Sequence, residues 1–244
     1  MPEGPSIVIL KELLQPYQGK VIQAAEGVAA IDFKRLEGKK LLQVKSWGKH
    51  TLLCFKDFYI RIHLLMFGSY RINERREQMT PKLTLVLKGA EVNFYTCQVK
   101  LMEGKADDDY AWDADIMAAE WDAKKALKKI RALRDAKICD VLLDQEIFSG
   151  SGNIIKNEVL FRVAVHPESR AGAMPLKKLK ELVNETRNYS FDFLKWKKAN
   201  VLQKHWLIYK KAICPRCHLP VKTAHLGKGK RLSCFCKHCQ ELFN

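Results

Sequence analysis

FSGSGNIIKNEVLF, residues 148–161, decides how the rest of the chain reads. Gly150 and Gly152 permit a tight turn, and Asn153 stands where a helix N-cap belongs. The amphipathic helix that follows carries Ile154, Val159, Leu160 and Phe161. A glycine-rich turn feeding a helix N-terminus is an anion site, because unpaired N–H groups and the helix dipole point at the ligand. Helix–turn–helix proteins turn this geometry on DNA phosphates. An ordinary capped helix is the alternative reading.

The flanking chain is helical too, with periodicity that predicts helices over roughly 122–134, 137–145, 153–162 and 175–187. Upstream, the acidic, turn-rich GKADDDYAWDAD at 104–115 marks a domain boundary. Before it, LLQVKSW (41–47), TLLCF (51–55), FYIRIHLL (58–65), KLTLVLK (82–88) and EVNFYT (91–96) follow one another as short strands. FYIRIHLL sets Phe58, Ile60, Ile62 and Leu64 on one side and Tyr59, Arg61 and His63 on the other. Serial strands without long helices between them argue an antiparallel sandwich or barrel. Ile7, Leu10, Leu14 and Tyr17 share one face of a helix that precedes them. Residues 210–244 form a basic tail, so the chain divides at 1–115, 116–209 and 210–244, an α+β multidomain architecture.

Composition narrows the function. Among 244 residues, 43 Lys and Arg against 27 Asp and Glu leave a net charge of +16. With 47% hydrophobic residues the chain can bury a core, which excludes wholesale disorder. No apolar stretch is long enough for a membrane span, and MPEGPS is no secretory signal. The surplus points to a polyanionic partner, nucleic acid or anionic lipid, with mere solubility as the bland alternative.

Of eight cysteines, five fall between Cys214 and Cys239. CPRC at 214–217 and CKHC at 236–239 make two knuckles, the pattern of a structural zinc site with Cys214, Cys217, Cys236 and Cys239 as ligands. Cys234 is a rival ligand, but only Cys236 with Cys239 reproduces the two-residue spacing. His218, His225 and His238 read as surface or phosphate-facing. Cys54, Cys97 and Cys139 read as small inert hydrophobes. Between the knuckles, HLGKGKRLS would present cations and free backbone N–H groups to a phosphate backbone, or form a plain solvated turn.

The start, MPEGP, offers a further device. Loss of Met1 leaves Pro2 with a secondary amine, and an ordinary terminal amine titrates at about 8. Such an amine can attack a sugar C1′ and form an iminium. Glu3 alongside could exchange protons with the sugar or the leaving group.

In order along the chain, PEGP (2–5), WGKHTLL (47–53), LLDQEIFSGSGNIIKNEVLF (142–161) and the four-cysteine tail resemble the formamidopyrimidine-DNA glycosylase / endonuclease VIII family. That resemblance spans nearly the whole chain. It implies an N-terminal antiparallel β-sandwich, a helix–two-turn–helix domain and a C-terminal zinc-finger hairpin. It also implies a monomeric bifunctional DNA glycosylase and abasic-site lyase of base excision repair, which excises oxidised bases from damaged double-stranded DNA and nicks the strand by β,δ-elimination. Pro2 matches the family's nucleophile, Glu3 its acid/base, and Lys49 the strand lysine beside them. Asn153 and Arg231 match its phosphate-binding residues.

Three departures accompany the match. Ser6 replaces a second glutamate found in many members, and the loop between the knuckles is about two residues longer than usual. YTCQVKLM at 95–102 lacks the Arg-x-Phe element of the purine-directed branch. LLMFGSYR at 64–71 instead resembles the endonuclease VIII wedge, with Leu65, Met66 and Phe67 filling the void of a flipped base; Leu65 reads equally as strand core. Oxidised pyrimidines are therefore the expected lesions. The expected complex has the duplex kinked in a basic cleft, with one zinc per chain, no membrane, and a cytoplasmic, nucleoid-associated location. The competing readings are a non-catalytic damaged-DNA-binding protein on the same scaffold and an RNA-binding zinc ribbon.

Overall fold

A computed structural model describes residues 2–244. Met1, and with it the expected removal of that residue, lies outside the described residues. The chain forms two compact units divided between Tyr110 and Ala111, inside the acidic segment.

The first unit begins with α1 (Gly4–Leu14), whose Ile7, Leu10 and Leu14 are buried. Pro5 sits in its first turn, where a missing N–H costs nothing. The helix stops short of Tyr17 because Pro16 cannot donate back along it, and Gln15–Tyr17 tightens into a 3-10 turn. Eight strands follow: β1 (Ile22–Glu26), β2 (Gln43–Trp47), β3 (His50–Cys54), β4 (Phe58–His63), β5 (Ser69–Ile72), β6 (Leu83–Leu87), β7 (Ala90–Tyr95) and β8 (Gln98–Glu103). They pair antiparallel in two sheets, ordered β1-β6-β7-β5 and β2-β3-β4-β8. Ile22, Leu85 and Phe94 from one sheet share a core with Val44, Leu53, Ile60 and Ile62 from the other, so the unit is a sandwich. The alternation read in β4 holds, with Phe58, Ile60, Ile62 and Leu64 in that core. After β8 the chain makes one helical turn, α2 (Ala106–Asp109).

In the second unit, α3 (Ala123–Ala132) is capped by Asp122, whose Oδ1 accepts the N–H groups of Lys124 and Lys125 at 2.8 and 3.0 Å. Next come α4 (Ile138–Val141), α5 (Asn153–Arg162) and α6 (Leu176–Lys198). α4 is one turn, shorter than the predicted 137–145, because the chain then folds into the turns that lead to Gly150. α6 outruns its predicted end, because Tyr189, Ser190 and Phe193 continue its buried stripe beyond residue 187. Strands β9 (Lys222–Leu226) and β10 (Arg231–Phe235) form a hairpin. That hairpin belongs to the same unit as the helices and packs on α5.

One expectation about α5 is corrected. Every residue from Asn153 to Phe161 is buried, so the helix has no solvated face there. Its polar side is enclosed instead: Lys156 Nζ donates to the Leu232 carbonyl and Ser233 Oγ, both at 2.9 Å. Asn157 Oδ1 accepts from the Cys234 N–H at 2.7 Å. Glu158 accepts three backbone N–H groups, from Leu207, Ile208 and Tyr209, at 2.8–2.9 Å. Buried polar groups satisfied in this way lock one arrangement of hairpin and helix.

Candidate active site and nucleic-acid interface

Within the first unit, Pro2 is half-buried and Glu3, 0% exposed, occupies the N-cap position of α1. Glu3 places its backbone carbonyl on the Ser6 N–H at 2.8 Å, while its side chain makes no capping bond. A fully buried carboxylate next to the second residue is costly unless held by polar partners, and it is a candidate proton carrier.

Lys49 lies at the tip of the β2–β3 hairpin, where Trp47 pairs with His50 across a two-residue turn. The antiparallel register sets His50 opposite His63 on β4, with ring centres 5.3 Å apart. Tyr110 packs on both Trp47 and His50. Burial pulls His50 down to about 4, and the neighbouring His63, Arg61 and Lys49 add to the effect. His63 is lowered too, by burial first and then by Lys49 and Arg61. Lys49 thus stands beside two imidazoles whose charged forms burial and neighbouring cations disfavour. Sequence reasoning named Lys49 alone; His50, Arg61 and His63 join it only through strand register.

The wedge candidates stand out from the sandwich. Leu65, Met66 and Phe67 follow β4 in a turn and are 47%, 48% and 78% exposed. Leu65 is therefore not strand core.

The second unit holds the other candidates. Asn153 is the first residue of α5, and Gly152 takes the N-cap position with no side-chain cap. This corrects the N-cap assignment: Gly152 is extended, so Asn153 is already helical and its side chain leaves the axis. Asn153 is 5% exposed, and its Oδ1 has no hydrogen-bond partner among the described residues. The buried hydroxyls of Ser149 and Ser151 likewise lack partners there, and sequence reasoning passed over both. Gly150 adopts φ 96°, so the glycine at that turn is required.

Arg231 opens β10, paired with Leu226 across the hairpin. Below it, Cys214, Cys217, Cys236 and Cys239 bring their sulfurs within 4.8 Å of one another. Cys214–Cys239 and Cys217–Cys236 sulfur pairs are 3.9 and 3.4 Å apart. A tetrahedral ion with metal–sulfur bonds of about 2.3 Å requires sulfurs roughly 3.8 Å apart, so the group fits a metal ion. Cys234 is outside this cluster. Burial pushes the thiols of Cys54, Cys97 and Cys139 up to about 11, as inert cysteines require. One expectation fails in part: the Lys228 N–H at the hairpin tip is not free but donates to both oxygens of Asp140 at 2.9 and 3.1 Å.

The chain thus combines a sandwich headed by Pro2-Glu3, a buried turn-and-helix at 149–162 and a four-cysteine hairpin. The formamidopyrimidine-DNA glycosylase N-terminal domain matches residues 1–100, and the H2TH domain of the same enzymes matches 114–192. The chain belongs to the formamidopyrimidine-DNA glycosylase / endonuclease VIII family. Its relatives include mouse endonuclease 8-like 3, 33% identical over 206 residues, 81% of this chain and 34% of that protein. Bovine endonuclease 8-like 2 is 34% identical over 75% of this chain and 58% of its own length. The chain thus spans about a third of the first relative and under two thirds of the second. In fold it is similar to Lactococcus lactis formamidopyrimidine-DNA glycosylase in complex with abasic-site DNA, with TM-score 0.85, 22% identity and coverage of 98% and 99% of the two chains. A viral DNA glycosylase gives the same TM-score at 20% identity, covering 98% of this chain and all of the other. No helix among the described residues is long and apolar enough to cross a membrane.

Proposed function

We propose that this chain is a bifunctional DNA glycosylase and abasic-site lyase of base excision repair, acting as a monomer on oxidised bases in double-stranded DNA. The observation that carries the reading is the head of α1, where a fully buried carboxylate directly follows Pro2 in a chain of this family. Once Met1 is removed, the Pro2 nitrogen attacks C1′ of the flipped nucleotide. The C1′–base bond breaks, and Glu3 exchanges protons with the sugar and the departing base. Loss of the amine proton gives a neutral aminal; the C1′–O4′ bond then breaks, O4′ taking a proton from Glu3, and the opened sugar is left as an iminium. It acidifies the 2′ hydrogens, and proton abstraction there expels the 3′ phosphate; a δ-elimination then expels the 5′ phosphate.

Lys49 serves the phosphate and sugar beside the lesion, while Asn153 and Arg231 grip phosphates. Leu65, Met66 and Phe67 fill the void of the extruded base, a use of apolar wedges with precedent at base steps. Pyrimidine lesions are favoured, because residues 95–102 lack the Arg-x-Phe element and the exposed apolar trio stands in its place. Zinc held by the four cysteines is structural, since four sulfur ligands leave no open position.

Borohydride reduction tests the central step. A secondary amine gives an iminium that needs no proton to act as an electron sink. Reduction in the presence of abasic-site DNA should therefore join protein and DNA covalently at the peptide beginning with Pro2. An uncleaved N-terminal tag should abolish the adduct. Trapping that maps to Lys49, or persists with Met1 attached, overturns Pro2 as nucleophile. Binding without trapping supports the non-catalytic reading.

A further inference from the structure

The cationic run Lys228-Gly229-Lys230-Arg231 is the tip of a two-stranded hairpin, a place where chains are ordinarily mobile. Here it is fastened at both ends by charged groups on helices. At its start, the Asp140 carboxylate on α4 takes the Lys228 N–H with both oxygens, at 2.9 and 3.1 Å. Just past its end, the Lys156 ammonium on α5 holds the Leu232 carbonyl and the Ser233 hydroxyl at 2.9 Å. Lys156 is fully buried, so the strand it holds cannot drift without exposing an unpaired charge.

Gly227 confirms how close the approach is. A Cβ built there would fall 2.1 Å from Asp140 Oδ1, and its φ of 75° suits only glycine without strain. Within the run, the Lys230 N–H donates to the Gly227 carbonyl at 3.2 Å, and the Lys230 carbonyl lies 2.9 Å from His225 Nδ1. Four residues that carry three cations are therefore strung between two fixed points, and Arg231 is one residue from the second.

A carboxylate beside a cationic loop ought by charge alone to weaken phosphate binding. Its placement on a backbone N–H, rather than on a lysine ammonium, gives it another use. We propose that Asp140 and Lys156 are positioning residues that set the 228–231 loop, and Arg231 above all, for a DNA phosphate. This rests on the DNA-binding reading above and deepens it.

The test is binding of the full-length chain to a duplex carrying a stable abasic-site analogue, across a range of salt. Asp140→Ala should weaken binding roughly fivefold although it removes a repelling charge, because an ordered hydrogen bond to a charged group is lost. The slope of log K against log salt should become shallower by about one, the share of a single phosphate contact. Asp140→Asn keeps an acceptor and should lie nearer the wild type. Zinc content should stay at one per chain in each variant, which separates a displaced loop from an unfolded hairpin. In an Arg231→Ala background, Asp140→Ala should add almost nothing, whereas a merely structural role would add its full cost. Lys156→Met should repeat the pattern. Tighter or unchanged binding by Asp140→Ala, or additivity with Arg231→Ala, overturns the inference alone. A wild type that fails to bind the duplex overturns the DNA reading itself.

Discussion

His50 shows how a single side chain couples site and stability. Its ring lies between Trp47, His63 and Tyr110, and its Nδ1 has no hydrogen-bond partner among the described residues. Burial, reinforced by His63, Arg61 and Lys49, lowers it from 6.5 to about 4. A base whose folded pKa lies below its unfolded value binds protons more tightly when unfolded. Its contribution to stability is complete above pH 6.5 and is lost as pH falls toward 4. The lowered His63 adds to the same trend. Melting temperature should therefore drop over that window, by an amount equivalent to about 3 kcal/mol for His50. His50→Gln should flatten the profile, and an equally steep drop in that variant would reject the assignment. Of this cluster the sequence disclosed Lys49, because WGKH is contiguous. The rest was hidden, since His50 and His63 meet only through the β3–β4 register. Asp140 was hidden for the same reason, as 88 residues separate it from Lys228.

Hairpins and helices were read unevenly, and burial explains which. β1, β5 and β8, absent from the sequence reading, are edge strands with exposed or half-exposed positions along much of their length, so their apolar pattern is weak. The edge strand β2 instead keeps Val44 and Trp47 buried and was read. α5 was placed to the residue, yet its polar positions misled. Lys156, Asn157 and Glu158 look like a wet face and are instead bonded to the cysteine hairpin and to residues 207–209. The knuckle spacing picked out all four clustered cysteines, because a four-thiolate site is specified by chain spacing more than by tertiary context. Two variants separate ligand from bystander. Cys236→Ser should lose zinc and unfold the tail, since metal binding and folding are linked. Cys234→Ser should keep its metal, because Cys234 engages α5 through its backbone N–H; metal loss there would redraw the ligand set. For the loop after β4, oxidised pyrimidines should be excised faster than 8-oxoguanine paired with cytosine. The reverse order in side-by-side duplex assays would assign the chain to the purine-directed branch.

Charge is the property that belongs to the chain as a unit, and it bears on affinity more than on fold. The net +16 is concentrated unevenly: residues 210–244 hold eight Lys and Arg against Glu241 alone. Most of these cations lie outside the ion pairs, which fall largely within the sandwich and between the helices. Cations that reach a duplex phosphate displace condensed counterions. Each phosphate neutralised contributes about −0.9 to the slope of log K against log salt. On the proposed function, Lys49, Lys228, Lys230 and Arg231 are four cations that meet phosphates. Binding should therefore fall with a slope near −4, so that a fourfold rise in salt costs roughly 200-fold in affinity. Arg231→Ala should make the slope shallower by about one. Phe67→Ala should leave the slope untouched while slowing base removal, since a wedge fills volume and carries no charge. A slope near zero in the wild type would mean that the surplus serves solubility alone, and a slope change in Phe67→Ala would mean that the loop contributes to the electrostatic footprint instead.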